Sequence, residues 1–338
     1  MIDSIIKVNL DIYRLDASTR AKVIKLLDQM EHELEAKLMD KNLTNWNKAR
    51  VEKLLAQAYA ITSEYYGEAQ NTLADVLDGV AKVSSSTTAA GLAAIIPVSL
   101  DVGIPTTAYV AKLASDLITQ GATQKEWWAA QTKDTNFKFS AQVRQGLIQG
   151  ETNAQIIKRV QSVIDVSRRN AASLVQTSVQ TVANEARLAV FEENSDITKG
   201  FIYHSTLDGH TCPTCGAYDG KQWTNDRKPI NGAPAFRNPP LHFSCRCVMS
   251  VVVKTNAELG FPEIPDARPG KRASSDGPIS DKTTFEDFLG RQSQAFQDST
   301  LGKGRAQLWR DGKITLDDLI NGNAQPLTLD QLKAKYEN

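Results

Sequence analysis

Apolar residues recur at spacings of three and four through the first eighty positions, and this period predicts two amphipathic helices. The first helix carries a stripe formed by Val23, Leu26, Leu27, Met30, Leu34 and Leu38. Asp16 or Ser18 is expected to cap its start. The second is expected to start at Thr44 or Asn45, and its stripe consists of Val51, Leu54, Leu55, Ala58 and Ile61. We therefore predict a helical hairpin over residues 1–82.

The stretch 83–100 contains no charged residue, so a membrane span has to be considered there. Its hydroxyl-rich SSSTT run and Pro97 make it a poor hydrocarbon-spanning helix. We predict instead a buried or loosely packed segment. It would form part of a weakly charged, partly helical connection over residues 83–139, with no stable membrane span.

Two further amphipathic helices and a strand are expected in the middle of the chain. The first helix places on one face Ile156, Ile157, Val160 and Ile164. The second starts near Ser167 and places on one face Leu174, Val175, Val179, Val182, Ala186 and Val190. At SDITKGFIYH the period shortens to two, which predicts a β-strand leading into the cysteine segment. These elements would form a small mixed core over residues 140–255.

Proline, glycine, serine and charged residues dominate PEIPDARPGKRASSDGP, residues 262–278, and no apolar period runs through it. We predict an extended arm or linker over 256–283, with few backbone hydrogen bonds of its own in 265–280. Short amphipathic segments separated by glycine follow, and they predict a small helical tail over 284–338. The expected fold class is α+β: a long helical N-terminal region, a mixed core with a zinc-stapled loop, an extended arm and short C-terminal helices.

The charge balance excludes a general attraction to nucleic acid or to an anionic membrane, because 39 lysines and arginines face 39 aspartates and glutamates. The first residues, MIDSIIKVNLDIYRLD, lack the uninterrupted apolar stretch of a signal peptide. Synthesis in a cytoplasm is therefore expected, and cysteines there are normally reduced.

The four cysteines lie in CPTC and HFSCRC. Two intervening residues let a tight turn direct Cys212 and Cys215 at one ion, and on a strand Cys245 and Cys247 would share a face. His242 is a fifth candidate ligand. Structural zinc takes four protein ligands, so one of the five lies outside the first coordination sphere. We expect His242 to be that residue.

Two other interpretations of the cysteines compete with structural zinc. A disulfide framework needs an oxidising compartment, which a particle would meet only after leaving the cell. A catalytic zinc or nucleophilic cysteine needs an open coordination position or a nearby base, for which Asp208, His204 and His210 are candidates. Four sulfur ligands would close the site, so a structural zinc is favoured and the protein is not expected to be an enzyme.

Between Ala171 and Cys247 the chain carries a pattern formed by Asp208, Cys212, Cys215, Asp219, Gly220, His242, Cys245, Arg246 and Cys247. With this pattern the segment resembles the head-morphogenesis family of tailed bacteriophages, the phage Mu F-like minor head proteins. Many members carry an Arg-Thr-Glu triplet where this chain has Gln176, Thr177 and Ser178, so a role for those charges does not transfer. The tail is also similar to tails of minor head proteins, and the resemblance covers roughly residues 140–338.

The resemblance implies a non-enzymatic virion protein located inside the head at the portal vertex, and in the host cytoplasm during assembly. It would act in head assembly and in DNA packaging or ejection. Its implied partner is the portal protein. Major capsid or scaffolding protein and non-specific contact with packaged DNA are further candidates.

A zinc-dependent nuclease or other metal enzyme is the alternative function. Asp208, His210 and Asn238 are present, but their order and spacing do not match an HNH nuclease. A zinc module that reads bases would need a basic helix after Cys247, where VMSVVVK is strand-like and almost uncharged.

Docking on the portal is expected to use the N-terminal hairpin, through an apolar stripe formed by Leu26, Leu34, Leu54 and Ile61. In the competing interpretation the hairpin buries this stripe on itself.

Overall fold

The computed structural model describes residues 2–39, 48–96, 101–266 and 270–336. These residues form two compact units. The helical unit consists of Ile12–Val80 and Ala111–Val182. The sheet unit consists of Met1–Asp11, Ala81–Val110 and Ala183–Asn338.

Long helices precede a region of short strands, as the α+β prediction required. Among the described residues the helices are α1 (Ile2–Met39), α2 (Lys48–Ala93), α3 (Thr107–Asp116), α4 (Gln124–Ile148), α5 (Asn153–Glu193), α6 (Pro213–Tyr218), α7 (Phe285–Gly290), α8 (Gln294–Leu301), α9 (Lys303–Arg310) and α10 (Leu329–Tyr336). The strands are β1 (Ile118–Thr119), β2 (Ala122–Thr123), β3 (Thr198–His204), β4 (Gln222–Thr224), β5 (Pro229–Ile230), β6 (Val248–Val253), β7 (Lys271–Arg272) and β8 (Ile279–Ser280).

The first predicted helix forms, but it begins earlier than expected. Asp16 and Ser18 lie inside α1 and do not cap it. Buried positions continue upstream of the stripe at a spacing of seven through Ile5, Ile12 and Thr19, so the helical period does not stop at residue 18. Thr44 and Asn45, the predicted start of the second helix, lie outside the described residues.

The apolar stripes of α1 and α2 are buried within the protein. Leu34, Leu54 and Ile61 are among the core residues, and Leu26 is half-buried. The expectation that this stripe forms a docking surface is therefore wrong for three of its four residues. Burial of one face against other helices is the usual fate of such a stripe.

Helix α2 also continues into the uncharged segment that was expected to be a connection, and it ends at Ala93. Ser84, Thr88 and Leu92 are buried there. The hydroxyl of Ser86 donates to the Val83 carbonyl at 3.2 Å, so the helix itself satisfies this polar side chain. None of the helices in the described part of the chain is both long and apolar enough to cross a membrane. Residues 97–100, with Pro97, lie outside that part.

A four-stranded antiparallel sheet with the order β5-β4-β3-β6 organises the sheet unit. The strand predicted before the cysteines forms as β3. Phe201 lies opposite Val251 of β6 and Trp223 of β4, and Tyr203 lies opposite Met249. All five side chains are buried on one face, so this face is the core of the sheet unit.

Strand β3 depends on a glycine where it pairs with β4. A Cβ atom built at Gly200 would lie 1.9 Å from the carbonyl oxygen of Trp223. Since no side chain fits that distance, only glycine permits this pairing.

The segment predicted as an extended arm contains a β-hairpin, because β7 pairs with β8. The peptide N–H of Ser275 also donates to the Leu207 carbonyl at 2.9 Å. The expectation of few backbone hydrogen bonds is therefore wrong for this part of the arm. Ser274 and Gly277 close a turn between the strands, and Gly277 has φ +102°, so the polar, glycine-containing sequence encodes a turn here. Residues 267–269 lie outside the described part.

The C-terminal tail forms the short helices that the sequence predicted, and they surround a core of their own. That core contains Leu207, Phe285, Phe288, Leu289, Leu301, Leu308, Leu316, Leu319 and Leu332. Helix α7 packs tightly on α6, since a Cβ atom at Gly216 would lie 2.8 Å from the Phe285 ring. The tail is thus packed against the helix that carries Cys215.

Candidate metal centre

The first cysteine pair lies at the start of α6. Cys212 occupies the N-cap position, and Pro213 begins the helix. The Cys212 sulfur accepts a hydrogen bond from the Cys215 peptide N–H at 3.4 Å. The tight turn expected from CPTC is therefore the first turn of a helix, which places both sulfurs on the same side.

The second pair lies in an irregular segment that ends where β6 begins, rather than on the strand that was expected. Cys245 and Cys247 are both buried there. The peptide N–H of Cys245 donates to the His242 carbonyl at 3.2 Å, so a turn brings the histidine back toward the cysteines. Ser244, inside that turn, has φ +61°.

His242 points one ring nitrogen at the first cysteine pair. Its Nε2 lies 3.2 Å from the Cys212 sulfur and 3.3 Å from the Cys215 sulfur. Its Nδ1 donates to the carbonyl of Phe243 at 2.7 Å. A hydrogen bond from the second nitrogen to a carbonyl is the usual way in which proteins orient a metal-binding imidazole.

Cys215 connects the two stretches. Its sulfur lies 3.7 Å from that of Cys245. Two groups of three side chains each bring their own ligand atoms within 4.8 Å of one another. One group is Cys212, Cys215 and His242, and the other is Cys215, Cys245 and Cys247. A zinc ion with tetrahedral bonds of about 2.3 Å to sulfur separates its sulfur ligands by roughly 3.8 Å, which agrees with the distance between Cys215 and Cys245.

All five candidates line a single cavity of about 10 Å³. A volume of this size holds about one water molecule or one ion. The donor set therefore fits a single small metal ion with soft ligands. The four cysteines are free thiols in the structure, which does not contain the alternative disulfide framework.

Hydrogen bonds and burial shift the pKa values of the cysteines and of His242. The bond from Cys215 lowers the pKa of Cys212 to about 5, and the bond with Cys212 raises the pKa of His242 to about 9. Hydrogen bonding with Cys215 and Cys247 lowers the pKa of Cys245. The pKa of Cys215 is raised because it donates to its neighbours, and burial raises that of Cys247. A metal ion would therefore displace protons from the cluster when it binds.

Two other residues of the resemblance, Asp208 and Arg246, form a fork beside the cysteines. Arg246 Nη1 and Nη2 donate to the Asp208 carboxylate at 2.5 and 2.8 Å. The same carboxylate accepts the His210 peptide N–H at 2.9 Å. Since Arg246 lies between Cys245 and Cys247, this bidentate pair fixes the second cysteine stretch against the loop before the first.

A third residue of the resemblance, Asp219, ties the arm and tail to the sheet. Its carboxylate accepts hydrogen bonds from Nη2 and Nη1 of the Arg272 guanidinium at 2.9 and 3.0 Å. It also accepts the peptide N–H groups of Ser205 and Phe285, each at 2.6 Å. Arg272 further donates to the carbonyls of Ser205 and Thr283. Asp219 is thus the centre of a buried hydrogen-bond network.

Several residues considered from the sequence lie elsewhere or have structural partners. His204 lies opposite Val248, on the sheet face away from Tyr203, and its Nε2 is 2.7 Å from the Ser250 hydroxyl. Asn238 donates to Glu185 at 3.0 Å. His210 is exposed, although it borders the small cavity.

The triplet that departs from the family pattern lies in the helical unit. Thr177 and Ser178 are buried, and their hydroxyls donate to carbonyls of α5 at 2.6 and 2.7 Å. These side chains therefore satisfy their polar groups within their own helix.

Sequence reasoning missed Tyr203. Its hydroxyl lies 3.5 Å from the Cys215 sulfur and 3.9 Å from the Cys245 sulfur. Burial raises the pKa of this phenol well above its usual value. The alternation along β3 placed Tyr203 on the core face, but nothing in the sequence indicated that the cysteines lie against that face.

Residues 137–250 match the family described as Phage Mu protein F like protein. The matched segment, about one third of the chain, contains α5, β3, α6, all four cysteines and His242. The resemblance inferred from the cysteine motifs is confirmed over this segment, which indicates a phage head morphogenesis protein. The similarity of the tail, beyond the match, stays a prediction. Comparison with curated proteins and with solved structures found no match.

Proposed function

We propose that this protein is a non-enzymatic minor head protein of a tailed bacteriophage, which associates with the portal vertex and acts in head assembly and in DNA packaging or ejection. The observation that carries the proposal is the family match over 137–250, since it coincides with the cysteine cluster and the sheet that supports it. Its localisation would be the virion, after assembly in the host cytoplasm.

A structural role for the metal centre agrees with the burial of its sulfurs. Cys215, Cys245 and Cys247 are buried, and the small volume that the five candidate side chains border is enough for about one ion. Of the residues that a nuclease would use, Asp208 is held by Arg246 and Asn238 by Glu185. A nicking assay on supercoiled DNA tests the alternative. Zinc-dependent nicking that Cys215→Ser abolishes would replace our proposal with a metal enzyme.

We propose that the centre binds one zinc ion through Cys212, Cys215, Cys245 and His242. The contacts of His242 with two sulfurs, and its oriented second nitrogen, favour it over Cys247 as the fourth ligand. This assignment reverses the expectation from spacing alone. Bound zinc would join α6 to the segment before β6, which supplies folding free energy where the elements are short.

Metal analysis of the reduced protein tests this assignment. We expect about one zinc per chain in the wild type, because four ligands share one ion. Cys215→Ser and His242→Ala should lose it, whereas Cys247→Ala should retain it. His210→Ala is the matched control, since His210 borders the same cavity but belongs to neither group of close ligand atoms. Retention by His242→Ala and loss by Cys247→Ala would restore the four-cysteine site, and a folded wild type without metal would contradict both.

Portal association requires a surface that the fold leaves exposed. Phe137 and Ile148 are about three-quarters exposed, and their separation of eleven residues places them on the same face of α4. We propose this face of the helical unit as the portal contact. The double variant Phe137→Glu and Ile148→Glu should lose co-purification with portal protein and incorporation into heads, while zinc content stays unchanged. Ile118→Glu, at another exposed apolar residue, is the control.

Normal portal binding by the double variant would locate docking elsewhere. If the wild-type protein never enters heads, the proposed function itself is wrong.

A further inference from the structure

Tyr203 is fully buried beside the cysteine cluster, and sulfurs surround its hydroxyl. The O–H donates to the Cys215 sulfur at 3.5 Å and lies 3.9 Å from the Cys245 sulfur. The residue is 0 % exposed, so solvent cannot serve as its hydrogen-bond partner. A buried phenol hydroxyl usually finds a partner, and here the partner is a thiol group.

The position of Tyr203 is fixed by contacts of its backbone and its ring as well as by its hydroxyl. Strand β3 holds its backbone opposite Met249. Its ring packs on that of Tyr218, with centroids 5.4 Å apart. Strand pairing and ring packing therefore hold the hydroxyl in place beside the sulfurs.

The chemistry of a thiolate-rich centre explains why such a donor is needed. Three thiolates and one imidazole around Zn²⁺ carry a net charge of about −1, and the surrounding core is apolar. Buried charge is costly unless hydrogen bonds compensate for it. The peptide N–H of Cys215 supplies one such bond to Cys212. The Tyr203 hydroxyl supplies a bond to Cys215, the cysteine shared by both possible ligand sets.

We infer that Tyr203 is a positioning residue of the metal centre, whose hydroxyl donates to the Cys215 thiolate and thereby slows release of the metal. This inference rests on the proposed zinc site, but it holds whichever residue is the fourth ligand. Loss of a hydrogen bond to a metal ligand typically weakens metal binding by about 10–100-fold.

Tyr218 offers a matched control within the same core. It is also 0 % exposed, and its ring packs on Tyr203 and on Trp223. Its hydroxyl, however, donates to the Ala235 carbonyl at 3.1 Å. Tyr203→Phe and Tyr218→Phe therefore each remove one buried hydroxyl from neighbouring rings, and only the first removes a donor to sulfur.

The experiment compares zinc transfer to a chromophoric chelator, and the absorption of the cobalt-substituted protein, in the full-length chain. Tyr203→Phe should release zinc about 10–100-fold faster than wild type and shift the thiolate-to-cobalt charge-transfer band. Tyr218→Phe should change neither. Equal effects of the two variants, or no effect of Tyr203→Phe, would overturn the inference while leaving the zinc site intact.

A second measurement covers the case in which Tyr203→Phe does not fold. Incorporation of 3-fluorotyrosine at position 203 preserves the ring and makes its hydroxyl a stronger donor, so zinc release should be slower and the cobalt band should shift. The same residue at position 218 is the control. An unchanged release rate at position 203 would overturn the inference. A wild-type protein that binds neither zinc nor cobalt would overturn the zinc proposal and, with it, the role of Tyr203.

Discussion

In the helical unit, buried side chains recur every three or four residues along α1 and α2 and are mostly aliphatic. In the cysteine region of the sheet unit, by contrast, the decisive contacts join residues far apart in the sequence. Asp219 meets Arg272, and Cys215 meets Cys245. The first arrangement distributes stability over many similar contacts, whereas the second concentrates it in a few polar or sulfur contacts with specific geometry. The two regions should therefore respond differently to substitution.

The largest effect is expected from Asp219, because its loss leaves a charged guanidinium buried. Asp219→Ala should lower the free energy of unfolding by about 3–5 kcal/mol, as for other buried ion pairs that lose one partner. Denaturant titration measures this loss. Limited proteolysis should show faster cleavage within 270–284, since Arg272 and Phe285 lose their shared anchor.

The control for Asp219 is an ion pair of the helical unit. Glu52 and Arg144 are 3.1 Å apart, but both side chains are about half-exposed, so Glu52→Ala should have little effect. If Asp219→Ala proves as mild as Glu52→Ala, polar crosslinks do not hold the sheet unit together.

The helical unit should respond to lost volume instead. Leu73 of α2 is buried, and Leu73→Ala should cost about 2–5 kcal/mol through lost burial and the remaining cavity. Leu15→Ala, at a partly exposed position of α1, should cost much less. Zinc content should be the same in both variants. Metal loss from Leu73→Ala would show that the two regions do not respond independently to substitution.

The same difference explains which features the sequence predicts. The stripes of α1 and α2 repeat locally, so period alone predicted these helices and their buried residues. The cap at Asp16 was wrong because buried positions continue upstream at Ile12. Capping residues are common inside helices as well, so their identity alone cannot define a helix start.

The candidate site was predictable only in part. The spacing of CPTC and HFSCRC indicated which side chains meet, since ligand spacing is local. No local pattern pairs Asp219 with Arg272, which are separated by 53 residues, or places Tyr203 beside Cys215. The arm was misread for the same reason. Its polar composition reflects a turn and a buried arginine, and the partner of that arginine lies far away in the sequence.

The third prediction concerns His204, a buried side chain of the sheet unit that is not a candidate metal ligand. Burial lowers its pKa from 6.5 to about 4, and the nearby charge of Arg272 acts in the same direction. Because the folded protein holds the neutral form, its contribution to stability is complete above pH 6.5 and is lost as the pH falls toward 4. The loss should be on the order of 3 kcal/mol.

Unfolding free energies at several pH values test this linkage. His204→Gln should remove the extra acid sensitivity between pH 6.5 and pH 4 relative to wild type. His32→Gln, at a surface position of α1, should leave it unchanged. Identical pH profiles for wild type and His204→Gln would assign the acid sensitivity of the sheet unit to other groups, among them the cysteine cluster.

The smallest effect on stability is expected in the fork between Asp208 and Arg246, where a substitution can change the hydrogen-bond geometry and keep the charge. Both side chains are partly exposed, so the fork is intermediate between the buried Asp219 network and a surface ion pair. Arg246→Lys keeps the charge but cannot donate two parallel hydrogen bonds, and it should cost about 1 kcal/mol. Arg227→Lys, in an ion pair with Glu192 whose members are both more exposed, should cost less.

Because the fork orients the segment that carries Cys245 and Cys247, Arg246→Lys should also accelerate zinc release, whereas Arg227→Lys should not. Equal stability and equal release rates in the two variants would show that charge alone accounts for the fork, and that the cysteine segment does not need its geometry.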